Sequence, residues 1–352
     1  MFPRSTSSSP NVGPAVDGWP PRWLTPVPQA DIDRGDGDDF VKFAESNCRV
    51  DKDSIAAKAG ELLRLRVWQR LLFGHLLARR PDGPYRHREA LIGMARKNGK
   101  SGKGSALGLG GLVLGPHGGE VYSCAADKQQ ARVVFDTARR MVKLDPELSQ
   151  ILKVYRDVIE FEQTGSIYRV LSAEAYTKEG LNPHLVIFDE VHAQPTRELW
   201  DVMALAMGAR EDPLMVGITT AGVRTDTTGQ DSLCYGLYQY GQRVVSGELA
   251  DDTFFMAWWE PATPEADHRD PRTWVQANPG LDDLVATEDL ASKLLRTPEN
   301  EYRIKRCNQW VSQQQAWFPT GLWGSLKDQR SVPDGAEVVL SFDGSFSGDS
   351  TG

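Results

Sequence analysis

The chain has 352 residues and a mass of 39.0 kDa, which gives room for roughly two domains. Apolar residues make up 40% and charged residues 25%, so a sizeable core is within reach and wholesale disorder is excluded. The net charge of -8 argues against a protein that coats nucleic acid by bulk attraction, yet Glu61–Lys103 holds eleven Lys/Arg against three Asp/Glu.

Residues 1–30 carry seven prolines and a Ser-rich patch, and Asp31 to Asp39 holds five aspartates. Residues 1–39 therefore read as a flexible, acidic, largely irregular arm. It has no apolar h-region, so it is not a secretory signal, and no run of 18 apolar residues follows to span a membrane. Phe40 to Glu45 starts a short docking helix. From Glu61, Leu62, Leu65, Trp68, Leu72 and Leu76 recur at helical spacing, and Pro81 with Gly83 stops the helix. Glu89 to Ala95 is a short apolar run that suits a buried strand. The small-residue stretch 101–114 reads as a helix whose glycines imply close packing on a sheet.

Strand and helix then alternate. Strands are expected at 120–125, 167–171, 185–188 and 215–220, with helices at 128–142 and 197–207. Such alternation implies a doubly wound α/β domain with a mainly parallel sheet. Residues 251–332 are mixed in pattern and rich in Trp and Pro, and read as a smaller, mainly helical linker subdomain. A new strand starts at Glu337 and ends at Asp343.

Five constellations carry chemistry. Arg96-Lys97-Asn98-Gly99-Lys100-Ser101 lies between a strand and a helix, the order a P-loop needs. Backbone N–H groups wrap phosphates there, Lys neutralises their oxygens and Ser ligates magnesium. The first glycine of the pattern should stand at Met94, so this is a deviant P-loop; the tripeptide alone serves equally as a basic turn capping a glycine-rich helix. Asp189 and Glu190 end an apolar strand at the sheet edge where phosphates bind, Asp189 to hold Mg2+ and Glu190 to orient and deprotonate water. Thr219 and Thr220 end the next strand and are candidates to sense the γ-phosphate, although a strand end alone explains them. Gln69, after Trp68, has an amide suited to the adenine edge. Asp343, with Asp349 nearby, is the kind of carboxylate that holds divalent ions for phosphodiester hydrolysis. The four cysteines and six histidines are scattered, which speaks against zinc ribbons, a disulfide framework or a histidine metal site, and for a reducing compartment.

Taken in order, Trp68-Gln69, ARKNGKS (95–101), AADKQQARVVFDTARRMV (125–142), EAYTKEGLNPHLVIFDEVHA (174–193), ITTAG (218–222), WVQANPGLDD (274–283) and FDGSFSGDST (342–351) resemble the large terminase subunit of tailed bacteriophages, over about residues 60–352. The resemblance implies a P-loop ATPase domain at 40–250, a linker subdomain at 251–332 and the start of a ribonuclease H-like nuclease at 333–352. It implies an ATP-driven motor that packages double-stranded DNA through a portal protein into a procapsid, with a small terminase subunit as partner. Such a motor works in the host bacterial cytoplasm, without a membrane, as a homo-oligomeric ring. Gln69 then resembles the adenine-reading glutamine, Arg96 to Ser101 the P-loop, Asp189-Glu190 the acid pair and Thr219-Thr220 the coupling motif. Asp343 resembles the first metal aspartate of a nuclease using Mg2+ or Mn2+. Nuclease activity is expected only of a longer chain, because the sequence stops nine residues after Asp343. A ring shares its active sites, and Arg132, Arg139 and Arg140 are candidates for an arginine acting on a neighbour.

Two other readings stand beside this one. A helicase-like P-loop DNA motor would need further motifs and a second motor domain after ITTAG, and none is seen. A non-catalytic assembly scaffold would dock a partner on Trp258, Trp259, Trp274, Trp310, Trp317 and Trp323; the same tryptophans serve as the core of the second subdomain. Nucleotide turnover separates motor from scaffold.

Overall fold

The apolar runs near 90, 121, 186 and 216 become neighbouring strands of one sheet. The computed structural model describes residues 18–171, 180–226, 228–312 and 335–337. In chain order the elements are β1 (Trp23–Leu24), α1 (Gln29–Asp33), α2 (Gly37–Asn47), α3 (Val67–Leu76), β2 (Glu89–Gly93), α4 (Lys100–Leu114), β3 (Glu120–Cys124), α5 (Lys128–Leu144) and α6 (Pro146–Ile151). There follow β4 (Lys153–Val154), β5 (Val158–Phe161), β6 (Ser166–Leu171), β7 (Leu185–Asp189), α7 (Glu198–Ala206), β8 (Leu214–Thr219), α8 (Leu233–Val245) and β9 (Phe254–Trp258). Helices α9 (Pro271–Ala277), α10 (Thr287–Leu294) and α11 (Glu299–Cys307) come last. The strand order is β1-β9-β2-β8-β7-β3-β6-β5-β4. From β9 to β6 all neighbours are parallel, and β1 at one edge and β5-β4 at the other are antiparallel additions.

Alternation along the strands feeds a core on each face. In β7, Leu185 and Ile187 join Phe40, Leu72, Leu107 and Phe135 on one side. Val186 and Phe188 join Trp200, Met203 and Tyr238 on the other. A strand covered on both faces has no polar side to show, which is why it reads as an unbroken apolar run. Helix α4 lies close to the sheet for the reason its glycines suggested. A Cβ on Gly108 would come within 2.7 Å of the Tyr168 ring, and one on Gly111 within 2.4 Å of Leu185. Close packing offsets the roughly 1 kcal/mol of helix propensity that each glycine costs.

Three expectations are corrected. The acidic arm is not irregular over 18–39. Asp31 is buried, accepting a hydrogen bond from Arg86 at 2.8 Å and another from Arg34. Asp36 binds the Arg79 guanidinium in a fork at 2.9 and 2.8 Å and takes the Tyr85 hydroxyl at 2.8 Å. With Arg66–Asp283, Arg70–Glu45 and Arg79–Asp212, these pairs draw the basic stretch into intramolecular ion pairs. Second, the helix expected from Glu61 starts at Val67, because the preceding residues run extended beside 48–50: Leu63 donates to the Cys48 carbonyl at 2.8 Å and Arg49 bridges Leu62. Third, a boundary at 250/251 cuts the sheet, since β9 pairs with both β2 and β1.

Beyond β9, α9–α11 surround a small core of Trp274, Val285, Leu290, Tyr302 and Cys307. The four described tryptophans of the scaffold reading form no docking face: Trp258, Trp259, Trp274 and Trp310 are buried, and Trp258 stacks on Trp310 at 5.5 Å. Residues 1–17, Trp317, Trp323, Asp343 and Asp349 lie outside the described residues.

Candidate nucleotide site

At the carboxyl edge of the sheet β8 lies between β2 and β7, so Gly93 pairs with Thr219 and Asp189 with Ile218. The loop leaving β2 is tied to its neighbour at once, Met94 donating to the Thr219 carbonyl at 3.2 Å. Lys97 and Gly99 then adopt left-handed φ values of 75° and 73°, and α4 begins at Lys100. Among the described residues, the N–H groups of Lys97, Asn98, Gly99, Lys100 and Ser101 find no acceptor. A run of unpaired N–H groups on a helix N-terminus is an anion-binding arrangement.

Lys100 is buried, and its Nζ folds back on the carbonyls of Met94 and Ala95 at 2.9 and 3.3 Å. Burial pushes its pKa below the usual lysine value, while the charges of Glu190 and Asp189 work the other way. Asp189 is buried at the end of β7, and its pKa is raised first by burial and then by Glu190. Burial would also raise Glu190, but His192, Lys100 and Arg96 together hold it at about 2. One carboxylate is thus kept ionised beside another that burial disfavours. Glu190 has φ 51°, a left-handed value that costs a non-glycine residue about 1–3 kcal/mol and is fixed here by Glu190 N–H bonding the Ile218 carbonyl at 2.8 Å.

Ser101 opens α4 next to Lys100. Asn98 is fully buried and its side-chain amide bonds other protein groups, leaving only its main-chain N–H for a phosphate. Gln69 is buried too, and its Oε1 accepts the Arg66 N–H at 3.0 Å to close the first turn of α3. Its NH2 group and the second lone pair of Oε1 have no hydrogen-bond partner among the described residues. Thr219 and Thr220 are buried and meet His192. The three candidate arginines are each engaged by a carboxylate of the same chain: Arg132 by Asp157, Arg139 by Asp136 and Arg140 by Asp51. Helix α5 starts at the carboxyl edge of the sheet, so Arg139 and Arg140 lie about 16 Å or more along its axis from that end.

Two further residues support the site, of which His192 escapes a sequence reading. His192 Nδ1 lies 3.2 Å from Glu190 Oε2 and 3.1 Å from Thr219 Oγ1. Its position three residues after Asp189 was the available signal. Lys103 is buried with Nζ on the Asn98 carbonyl and 4.3 Å from the centre of the Trp68 ring, supporting the loop from behind. A cavity of about 490 Å3 opens elsewhere, beside His184, Leu185 and Leu214 where β7 and β8 begin. Its Arg79, Asp36 and Asp212 are paired with one another. It is therefore a poor receptor for phosphates.

A strand, a loop with left-handed turns, a helix beginning in Lys-Ser and an acid pair two strands away define a P-loop NTPase fold. Residues 67–243 match the family model of the terminase large subunit, ATPase domain, and the chain belongs to that family. It is similar to the terminase large subunit of Enterobacteria phage HK97, 28% identical over 300 residues, covering 82% of this chain and 56% of that protein. It is also similar to protein YmfN of Escherichia coli (strain K12), 30% identical over 173 residues, covering 47% of this chain and 37% of that protein. The crystal structure of the HK97 large terminase superposes with a TM-score of 0.65 at 27% identity, covering 78% of this chain and 55% of that one. The chain thus spans about half the length of the HK97 protein.

Proposed function

We propose that residues 40–312 bind and hydrolyse ATP as the motor part of a DNA-packaging machine. The observation that carries this is the run of unpaired N–H groups from Lys97 to Ser101 beside Lys100, on the same sheet edge as Asp189 and Glu190. The triphosphate would lie along these N–H groups, with Lys100 leaving the Met94 and Ala95 carbonyls to meet its oxygens. Glu190, held ionised, would orient the attacking water and accept its proton, and the barrier to phosphoryl transfer falls mainly through such positioning and charge. Gln69 would donate to the base.

Ser101 and Asp189 are the residues that would hold Mg2+. The donor set fits: one hydroxyl and one carboxylate suit an ion that keeps waters and phosphate oxygens as its other ligands. No group of three or more His, Cys, Asp or Glu side chains gathers as a metal site among the described residues. When bound, the ion supplies charge neutralisation to the phosphates.

The wider reading has double-stranded DNA as the load, with the portal protein and small terminase subunit as partners. It includes a homo-oligomeric ring in the host bacterial cytoplasm, transiently on the procapsid. Asp343 and Asp349 would begin a nuclease that uses Mg2+ or Mn2+. A neighbour's arginine completes the ATP site, and of the three candidates Arg132 stands nearest the right end of its helix. Release of phosphate by the purified chain tests the core of the proposal. Turnover by wild type that is lost in Lys100→Ala is expected, and equal turnover by both would refute it.

A further inference from the structure

The segment WVQANPGLDD has no role in the chemistry described so far, yet it lies against the phosphate loop. Ala95 donates its N–H to the Ala277 carbonyl at 3.2 Å, and Arg96 donates to the Lys305 carbonyl at 2.9 Å. Between the two left-handed residues Lys97 and Gly99, Asn98 sends its side chain into the same turn. Asn98 Nδ2 donates to Asn278 Oδ1 at 2.9 Å, and Gly280 N–H donates to Asn98 Oδ1 at 2.9 Å. Both N–H bonds of each amide are occupied. Asn98 Nδ2 also donates to the Ala95 carbonyl at 3.1 Å. Asn278 Nδ2 donates to the carbonyls of Trp274 and Arg306, both at 2.9 Å. The two side chains are buried, at 0% and 2% exposure. Turning the Asn98 amide over would set its NH2 against the Gly280 N–H and its oxygen against Asn278 Oδ1, so each amide fixes the other's orientation.

We propose that Asn278 is a positioning residue for the triphosphate: through Asn98 it clasps the loop in the conformation whose N–H groups receive phosphate. This rests on the ATP reading above. A lysine at φ 75° is a conformation the loop would leave if released. Without the clasp the competent loop is a minor fraction of the population, and apparent affinity falls by that fraction. Among the described residues the Asn278 side chain bonds Asn98 and the Trp274 and Arg306 carbonyls and neither Glu190 nor Thr219, so the hydrolysis rate at saturating ATP is retained. The expected signature is a split: KM and Kd for ATP rise and kcat does not fall with them. A role in stability alone would lower the melting temperature and leave KM unchanged.

The test measures ATP binding by calorimetry, together with kcat and KM, on the full 352-residue chain with magnesium. Asn278→Ala is expected to raise KM and Kd roughly tenfold, the order set by losing buried hydrogen bonds. Asn278→Ser keeps a hydroxyl acceptor for Asn98 and should fall between wild type and Asn278→Ala; if the alanine variant does not fold, the serine variant carries the test. The double variant Asn98→Ala/Asn278→Ala should lose little more affinity than either single one, since the two act through one contact. Folded Asn278 variants with wild-type KM and Kd, while Lys100→Ala has lost binding, would overturn the clasp and leave the ATP site standing. A wild-type chain that binds no ATP would overturn both.

Discussion

The main-chain N–H of His192 donates to Thr219 Oγ1 at 3.1 Å, joining the turn after the acid pair to the end of the neighbouring strand. The imidazole repeats the link, with Nδ1 between Thr219 Oγ1 and Glu190 Oε2. Thr219 in turn donates to the Thr220 carbonyl at 2.9 Å, and Ala221 N–H reaches Asn308 Oδ1 at 2.6 Å. A change at Glu190 therefore has a short bonded route to the chain that leads away from α11. Thr219→Val keeps the shape and removes the hydroxyl. Its kcat for ATP should fall roughly tenfold with little change in KM, the size expected for one lost positioning hydrogen bond. Unchanged kcat in a folded protein would mean that Thr219 only ends a strand.

Gly108 tests the packing of α4. A methyl group there meets the Tyr168 ring, which is itself buried and bonded to Ser123, so the ring has little room to give. Gly108→Ala should lower stability by about 1–3 kcal/mol despite the better helix propensity of alanine. Chemical denaturation measures it, and a variant more stable than wild type would show that the contact relaxes freely.

Asp31 tests the ordering of the N-terminal segment. Its carboxylate is buried between Arg34 and Arg86, and removing it leaves Arg86 with Asp252 at 3.5 Å as its other ion-pair partner. Asp31→Ala should cost about 3 kcal/mol, the lower end for breaking a buried pair. Residues 18–36 should then become open to limited proteolysis; an unchanged digestion pattern and unchanged stability would contradict it.

Much of the centre was legible in the sequence because its physics is local. An apolar run, a Gly-Lys-Ser turn and a small-residue stretch predict β2, the loop and α4, and the run ending in Asp189-Glu190 predicts β7. What could not be read depends on distant partners. Asp31 and Asp36 looked like solvated charges because Arg86 and Arg79 lie over 40 residues away along the chain. Phe254–Trp258 looked like the start of a separate region because nothing local says that it pairs with β2 and β1. That the Asn98 side chain is tied to Asn278 and Gly280 could not be read either, because those partners are about 180 residues on.

The shared-site proposal predicts that activity per chain depends on concentration. A dilute monomer should be a weak ATPase, since a neighbour's arginine typically supplies roughly 10³–10⁵ in rate. Arg132→Ala would lower the concentrated rate toward the dilute one, whereas Arg139→Ala and Arg140→Ala should not. Specific activity that stays constant over a wide dilution range would remove the need for any arginine from a neighbour.

The most direct measurement is a single pair of experiments on Glu190→Gln, ATP binding and ATP hydrolysis, beside wild type. The amide keeps the size of the side chain and removes the charge that His192, Lys100 and Arg96 hold in place. Glu190→Gln is expected to bind ATP with magnesium at least as well as wild type and to turn it over at least 100-fold more slowly, the range general-base groups contribute. Hydrolysis by Glu190→Gln at the wild-type rate would contradict the assignment of this strand end as the catalytic edge.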